Sequence, residues 1–245
     1  LLALALVLVF AVTRVIFIPQ GEFLAWGALT MAALEGGQFP ATVWLLVSCG
    51  ALTLAVDLFS ATGRRTIGRS ALWNLLYPLA LAGLLWVLPL AALSTWARVL
   101  VTLAIVVPMG PMLYRVAFQP VAEAPVLVLL IISVAVHLAM VGLGLLVFGP
   151  EGSRTTPFSD AQFELGTLVV GGHTLFVILA SLVLIVGLYL FFDRTLYGKA
   201  LRATAINRNG ARLMGISPAL AGRLTFLLAA VIGVLSGVLV APLTT

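Results

Sequence analysis

Six stretches of 18 to 24 residues, Pro40–Phe59, Ala71–Leu93, Trp96–Leu113, Pro125–Phe148, Leu175–Phe192 and Leu224–Ala241, hold only two formal charges, Asp57 and Arg98. A bilayer core about 30 Å thick needs about 20 apolar residues in helical form, so each stretch is of spanning length. Two shorter apolar pieces, Leu1–Thr13 and Phe23–Leu34, flank a polar break, RVIFIPQGE. The remainder of the chain does not dilute this pattern. Only 9% of the 245 residues are charged, where a soluble domain carries about 25%, and so few charges cannot cover a soluble surface. An ordinary soluble enzyme, a disordered chain and a disulfide-stapled secreted module are excluded. Lipid offers the backbone no partners, so spans are helices or a closed barrel. The runs are continuous and lack period-2 alternation, which removes the barrel. The expected fold is all-α, a polytopic transmembrane bundle of about seven to eight spans or half-spans.

The formal charge of +5 then reports topology. Arg64, Arg65 and Arg69 fall in one loop, Arg115 in the next loop but one, and Arg194, Lys199, Arg202, Arg208, Arg212 and Arg223 in a third. Alternating spans place all three on one face, and the positive-inside rule makes that face cytoplasmic. The intervening segments carry Glu35, then Arg98, then Arg154 with Glu151, Asp160 and Glu164. The loop Gly149–His173 is expected outside. No aromatic-interleaved basic stripe accompanies the charges, so nucleic acid is not an expected partner. Asp57 reads as an interfacial charge beside Arg64 and Arg65. Trp26, Trp44, Trp73, Trp86 and Trp96 lie mostly near span ends, as interfacial anchors do.

No Walker A sequence, nucleophile elbow, H-E-x-x-H or dinucleotide fingerprint occurs. Cys49 is a lone cysteine in an apolar run, and His137 and His173 are far apart, so neither a disulfide nor a metal site is expected. The chain is expected to be no enzyme and to bind no cofactor. If transport is ATP-driven, hydrolysis belongs to a separate subunit. The chain starts at Leu1 without Met and stops in VAPLTT at the exit of an apolar run. It reads as a single transmembrane domain, 1–245, within a longer protein. Leu1–Val12 lacks the basic n-region and cleavage site of a signal peptide.

The most patterned polar stretch is Asp193–Pro218, DRTLYGKALRATAINRNGARLMGISP. Lys199–Ile206 predicts a short helix preceded by Gly198 and ended by Asn207. Asn209 is placed to cap a second turn that stops at Gly215. Apolar Leu201, Ala205, Leu213, Met214 and Ile216 interleave with Arg202, Arg208 and Arg212. One reading is a basic interfacial loop that fixes topology and touches anionic lipid. The other is a helix that docks in a groove of a cytoplasmic partner. The small residues Gly198, Ala200, Ala203, Ala211 and Gly215 favour docking, since a lipid-facing helix would carry bulkier side chains.

This stretch resembles the cytoplasmic loop of the branched-chain amino acid ABC transporter permeases, which reads roughly T-x-x-G-[KR]-A-x-R-A and then A-x-x-x-G-I. Thr195, Gly198, Lys199, Ala200, Arg202, Ala203, Ala211, Gly215 and Ile216 match. The resemblance implies a coupling loop, 193–218, received by a cleft of an ATPase subunit. It also implies a second permease subunit, a periplasmic substrate-binding protein and a bacterial plasma (inner) membrane location. The implied substrate is a branched-chain or other hydrophobic amino acid, or an amide or urea. A second likeness is FIPQGE followed by Trp26-Gly27-Ala28, similar to the family's N-F-A-H-G-E followed by G-A. Gly21, Glu22, Gly27 and Ala28 match, while Phe17 stands for Asn, Pro19 for Ala and Gln20 for His. A third is YRVAFQP, Tyr114–Pro120, similar to R-x-x-Y-R-P, with Phe118 in place of Tyr. The stretch from Glu22 to Tyr114 departs from the family pattern by holding three long apolar runs.

Pro19 and Gly21 break a helix, and the freed backbone groups need partners in a protein-lined cavity. Gln20, Gly21 and Glu22 are therefore pathway candidates. Arg14 and Glu22 either work at membrane depth or snorkel to the interface. His137, mid-run, either makes an interhelical contact or meets substrate. A stand-alone channel or secondary transporter using Arg14, Glu22 or His137 as ion or proton groups is the alternative function. Gly142, Gly144 and the G-x-x-x-G of Gly233 and Gly237 read as packing devices.

Overall fold

A computed structural model describes residues 2–60, 71–150, 152–153, 155–159, 161–165 and 168–242. Arg64, Arg65, Arg69, Glu151, Arg154 and Asp160 lie outside the described residues. Ten helices follow in order: α1 (Leu2–Thr13), α2 (Gln20–Glu35), α3 (Thr42–Phe59), α4 (Leu72–Val87), α5 (Thr95–Val121), α6 (Val126–Phe148), α7 (Gly172–Arg194), α8 (Leu196–Ile206), α9 (Arg208–Leu213) and α10 (Pro218–Val240). Five of them, α3, α5, α6, α7 and α10, are long and apolar enough to cross a membrane. The shorter apolar α1, α2 and α4 fill out the all-α polytopic bundle.

Helix α10 is the centre of the bundle, and its middle is almost wholly buried. Its partner is α2, and small residues allow the contact. A Cβ on Gly237 would fall on the Leu24 carbonyl, and one on Gly233 would come within 2.8 Å of the Phe23 Cβ. Gly27 answers from α2, where a Cβ would stand 3.0 Å from the Val234 Cα. Between apolar surfaces in lipid, close backbone approach supplies the dispersion contacts that hold helices together. Gly144 likewise packs on Trp26, but nothing lies within 4 Å of a Cβ on Gly142, which is therefore no packing device here. Trp26 is itself buried, unlike the exposed Trp44, Trp73, Trp86 and Trp96. It is a core residue of α2 and not an interfacial anchor.

Prolines rearrange three expected boundaries. Ala71–Leu93 is not one helix. Its α-helical part stops at Val87, Leu88 turns extended before Pro89, and a 3₁₀ turn follows at Leu90–Ala92. Conversely, α5 runs on past Leu113. Pro108 and Pro111 remove two backbone donors, and the helix continues by local distortion into a π-helical turn at Tyr114–Phe118. Arg115 consequently sits inside a helix and not in a loop, and its guanidinium bonds Asp57 at 2.7 Å. The third is the start of α2, which begins at Gln20 directly behind Pro19 and not at Phe23.

Contacts between distant segments test the alternation of spans. Asp57 near the end of α3 meets Arg115 near the end of α5, and Arg208 at the start of α9 donates to the Ala122 carbonyl at 3.1 Å. These bring three segment ends to one face, the basic one. At the opposite face the Glu35 carboxylate at the end of α2 accepts from the Thr156 backbone N–H at 3.1 Å. The opposite-face loop also contains a short antiparallel hairpin, β1 (Gln162–Leu165) with β2 (Leu168–Gly171), which pairs Gln162 with Gly171 and Leu165 with Leu168. The continuous apolar runs gave no sign of it.

Candidate functional site

The first candidate region is the break between α1 and α2. Helix α1 ends at the basic face. Residues Arg14–Phe17 adopt no regular secondary structure, and α2 starts at Gln20 beside the middle of α10. An unwound stretch therefore climbs from the basic face to mid-depth, and its polar groups find protein partners. The Ile18 N–H donates to Ser133 Oγ on α6 at 3.0 Å, and the Gln20 amide Nε2 donates to the Ala229 carbonyl on α10 at 2.9 Å. Gln20 is 2% exposed, and its Oε1 has no protein partner among the described residues. One turn of α6 further on, His137 Nδ1 lies 3.3 Å from Glu22 Oε1. Both are only partly buried, so this pair opens on the margin of the bundle and not into its core. Gly21 beside it has nothing within 4 Å of its missing Cβ. Three of the four pathway candidates, Gln20, Gly21 and Glu22, thus come from one helix start, and His137 joins them across 115 residues of chain.

Arg14 does not join this group. It is exposed at the basic face, in the left-handed backbone region with φ +60°. Of the three residues in the alternative reading, Arg14 therefore stands apart, while Glu22 and His137 meet.

Below the break, towards the basic face, five rings close the bundle. Phe17 is fully buried, with its ring centre 4.6 Å from Phe226, 6.0 Å from Phe23 and 6.1 Å from Phe118. Phe226 in turn lies 5.0 Å from Tyr114. Sequence reasoning passed over this cluster, although a signal was present. Phe17 and Phe118 are two departures from the family pattern, standing where Asn and Tyr are expected, and they meet each other in space.

The second region is the loop 193–218. Thr195 caps α8 by accepting from the Gly198 N–H at 2.9 Å, so the helix starts at Leu196 and Gly198 lies inside it. Asn207, not Asn209, caps α9, with Oδ1 accepting from the Gly210 N–H at 2.8 Å. Gly215, at φ +82°, closes α9 in a Schellman turn in which the Ile216 N–H reaches the Ala211 carbonyl at 3.0 Å. Ser217 and Pro218 then open α10. Two of the small residues, Gly198 and Ala211, face the bundle and not outward. A Cβ on Gly198 would fall on the backbone of Phe191 and Phe192, and Ala211 is buried. Gly198 and Ala211 seat the loop on its own bundle, together with Leu201, which packs with Val12 and Ala221. What faces outward is Ile206, Leu213 and Met214, each more than 80% exposed, among exposed Lys199, Arg202 and Arg212. Ala200 and Ala203 lie at the margin between the two surfaces.

Sequence reasoning also missed His173. It is buried at the head of α7, where Nδ1 accepts from the Phe158 N–H at 3.4 Å and Nε2 lies 3.1 Å from the Leu239 carbonyl. It ties the opposite-face loop to the end of α10. Among the described residues no group of three His, Cys, Asp or Glu could hold a metal ion.

Spans joined by an unwound, polar-lined break at mid-depth, with a two-helix extramembrane loop, define a multi-pass membrane protein with the architecture of a transport permease. Residues 1–245 match throughout the profile of the family described as branched-chain amino acid transport system, permease component, and the chain belongs to that family. No curated protein and no solved structure gives a significant match.

Proposed function

We propose that this chain is the transmembrane subunit of an ATP-binding-cassette importer for branched-chain or other hydrophobic amino acids, or for amides or urea. The observation that carries this reading is the loop 193–218. It is a two-helix element fixed to the bundle by Gly198, Leu201 and Ala211, and it presents apolar Ile206, Leu213 and Met214 within a basic rim. Fully exposed apolar side chains on a rigid extramembrane element mark a binding surface for a partner protein. A cytoplasmic ATPase is the partner that fits, because the chain has no nucleotide-binding sequence of its own. Substrate is handed over by a periplasmic binding protein on the opposite face, a second permease subunit completes the pathway, and the location is a bacterial plasma (inner) membrane.

Closure of two ATPases draws two such loops together, and the rigid seating of α8 on α7 and α1 passes that movement to the spans. Transport then proceeds by alternating access between two packings of the bundle, with no covalent bond made or broken by this subunit. The aromatic cluster around Phe17 closes the basic side. Gln20, with a free amide oxygen, and the Glu22–His137 pair line the route.

The test is ATP-driven amino acid uptake by the reconstituted complex. Leu213→Ser with Met214→Ser should abolish uptake while the chain stays folded in the membrane, because neither side chain contributes to its core. Unchanged uptake in that double variant would remove the coupling role. Glu22→Gln and His137→Ala should lower uptake with the ATPase still docked, and normal uptake in both would place the route elsewhere.

A further inference from the structure

The geometry points to a binding site for an anionic phospholipid at the basic face, with the phosphoryl headgroup among Arg14, Arg208 and Arg212 and an acyl chain along α1 and α7. Two cavities carry the inference. The first, about 470 Å³ and polar, lies between the end of α1 and the loop 193–218. Its wall includes Arg14, Arg208, Arg212, Asn207, Asn209 and Glu123. Three guanidinium groups against one carboxylate leave an excess of two positive charges, and guanidinium forks suit phosphoryl oxygens. The second, about 490 Å³, is an apolar groove walled by Leu4, Leu8, Ile185, Leu188 and Phe192, with Arg202 at its rim. Ala11, Val12 and Ala205 line both, and Ala11 and Ala205 are exposed. A polar, basic chamber thus adjoins an apolar groove of membrane character, which is the chemistry of a headgroup joined to a chain.

Two further observations support this occupant. Arg14 holds φ +60°, a conformation few non-glycine residues adopt, and strained backbone of this kind collects at functional sites. It does so at the point where the α1 helix yields to the unwound stretch, so its side chain reaches the chamber. Arg208 meanwhile donates to the Ala122 carbonyl at the end of α5, which ties the chamber wall to the span bundle. The anionic lipids of the cytoplasmic leaflet are concentrated where the basic face lies. A lipid there would brace α8 and α9 against α1 and α7, the joint across which coupling passes.

The complete transporter, purified with its lipids and examined by native mass spectrometry, tests this. Phosphatidylglycerol should be retained in preference to phosphatidylcholine. After delipidation, phosphatidylglycerol should raise the melting temperature, and neither phosphatidylcholine nor inorganic phosphate should. Arg14→Gln with Arg212→Gln should weaken phosphatidylglycerol binding about thirtyfold, the effect of two basic residues at an anionic surface. Ala205→Phe, which fills the passage between chamber and groove, should weaken lipid binding with all three arginines present. Equal retention of phosphatidylcholine, or equal stabilisation by inorganic phosphate, would overturn the lipid assignment. So would a double variant that sheds the ATPase but keeps its lipid, since the arginines would then serve a partner's carboxylates. The wild-type comparison of the three ligands decides the matter even if a variant fails to fold.

Discussion

Replacing Phe17 with alanine tests the aromatic closure below the break. Phe17 is wholly buried and meets three rings, at 4.6, 6.0 and 6.1 Å between centres. In a soluble core, Phe→Ala costs about 3–5 kcal/mol, of which part is the transfer of apolar surface from water. That part largely vanishes here, because the unfolded segment stays among lipid tails as apolar as the core. The contact part remains, and three ring pairs at roughly 0.5–1.5 kcal/mol each put the loss near 3 kcal/mol. Phe17→Leu keeps most of the volume and should cost about 1 kcal/mol. Unfolding by sodium dodecyl sulfate in mixed micelles measures both, and a flux assay on sealed vesicles reads whether the closure leaks. The alanine variant should be the less stable of the two and should leak small solutes without ATP. Equal stability of the two variants, with no leak in either, would show that the ring neither packs nor closes as described.

Three further outcomes follow from the same contacts. Gly237→Leu should prevent accumulation of the folded protein, because its Cβ would fall on the Leu24 carbonyl, whereas Gly142→Leu should be silent; membrane expression levels compare them directly. Asp57→Asn leaves a mostly buried Arg115 without its bonded carboxylate, a change worth about 3–5 kcal/mol where a buried pair is broken. Detergent-melting temperatures should fall in that variant, while Glu35→Gln, at the exposed opposite face, should lower them far less. Gly198→Val should dislodge α8 from α7 and cut uptake without removing any outward-facing side chain, and limited proteolysis of the loop should accelerate.

The spans were legible because the bilayer imposes length and apolarity on each, and the G-x-x-x-G of α10 because close approach in lipid demands small residues. The sidedness was legible in the clustering of basic residues, and two bonds, Asp57–Arg115 and Arg208–Ala122, agree with it from independent positions. The loop 193–218 was legible as two short helices, since Thr195, Asn207 and Gly215 carry capping chemistry, although the choice between Asn207 and Asn209 depended on where α8 ends. Its small residues gave a misleading cue. Composition cannot say which face of a helix a small residue occupies, and Gly198 and Ala211 turn inward. Helix α5 was read too short because prolines signal breaks, while a π-helical turn re-satisfies the backbone around them. The pairing of Glu22 with His137 was not legible, because it joins segments 115 residues apart through packing alone, and the meeting of Phe17 with Phe118 left only the trace of two paired departures from the family pattern.

The claim on which most of the account depends is that Ile206, Leu213 and Met214 dock an ATPase. The most direct measurement is disulfide trapping from a cysteine at 214 (Met214→Cys, in a Cys49→Ala background) to single cysteines in the cleft of the ATPase encoded with this permease. The account predicts a cross-linked product at position 214 and none from a cysteine at the seated Leu201. Cross-linking from neither position, with the two subunits co-purifying by some other surface, would contradict it.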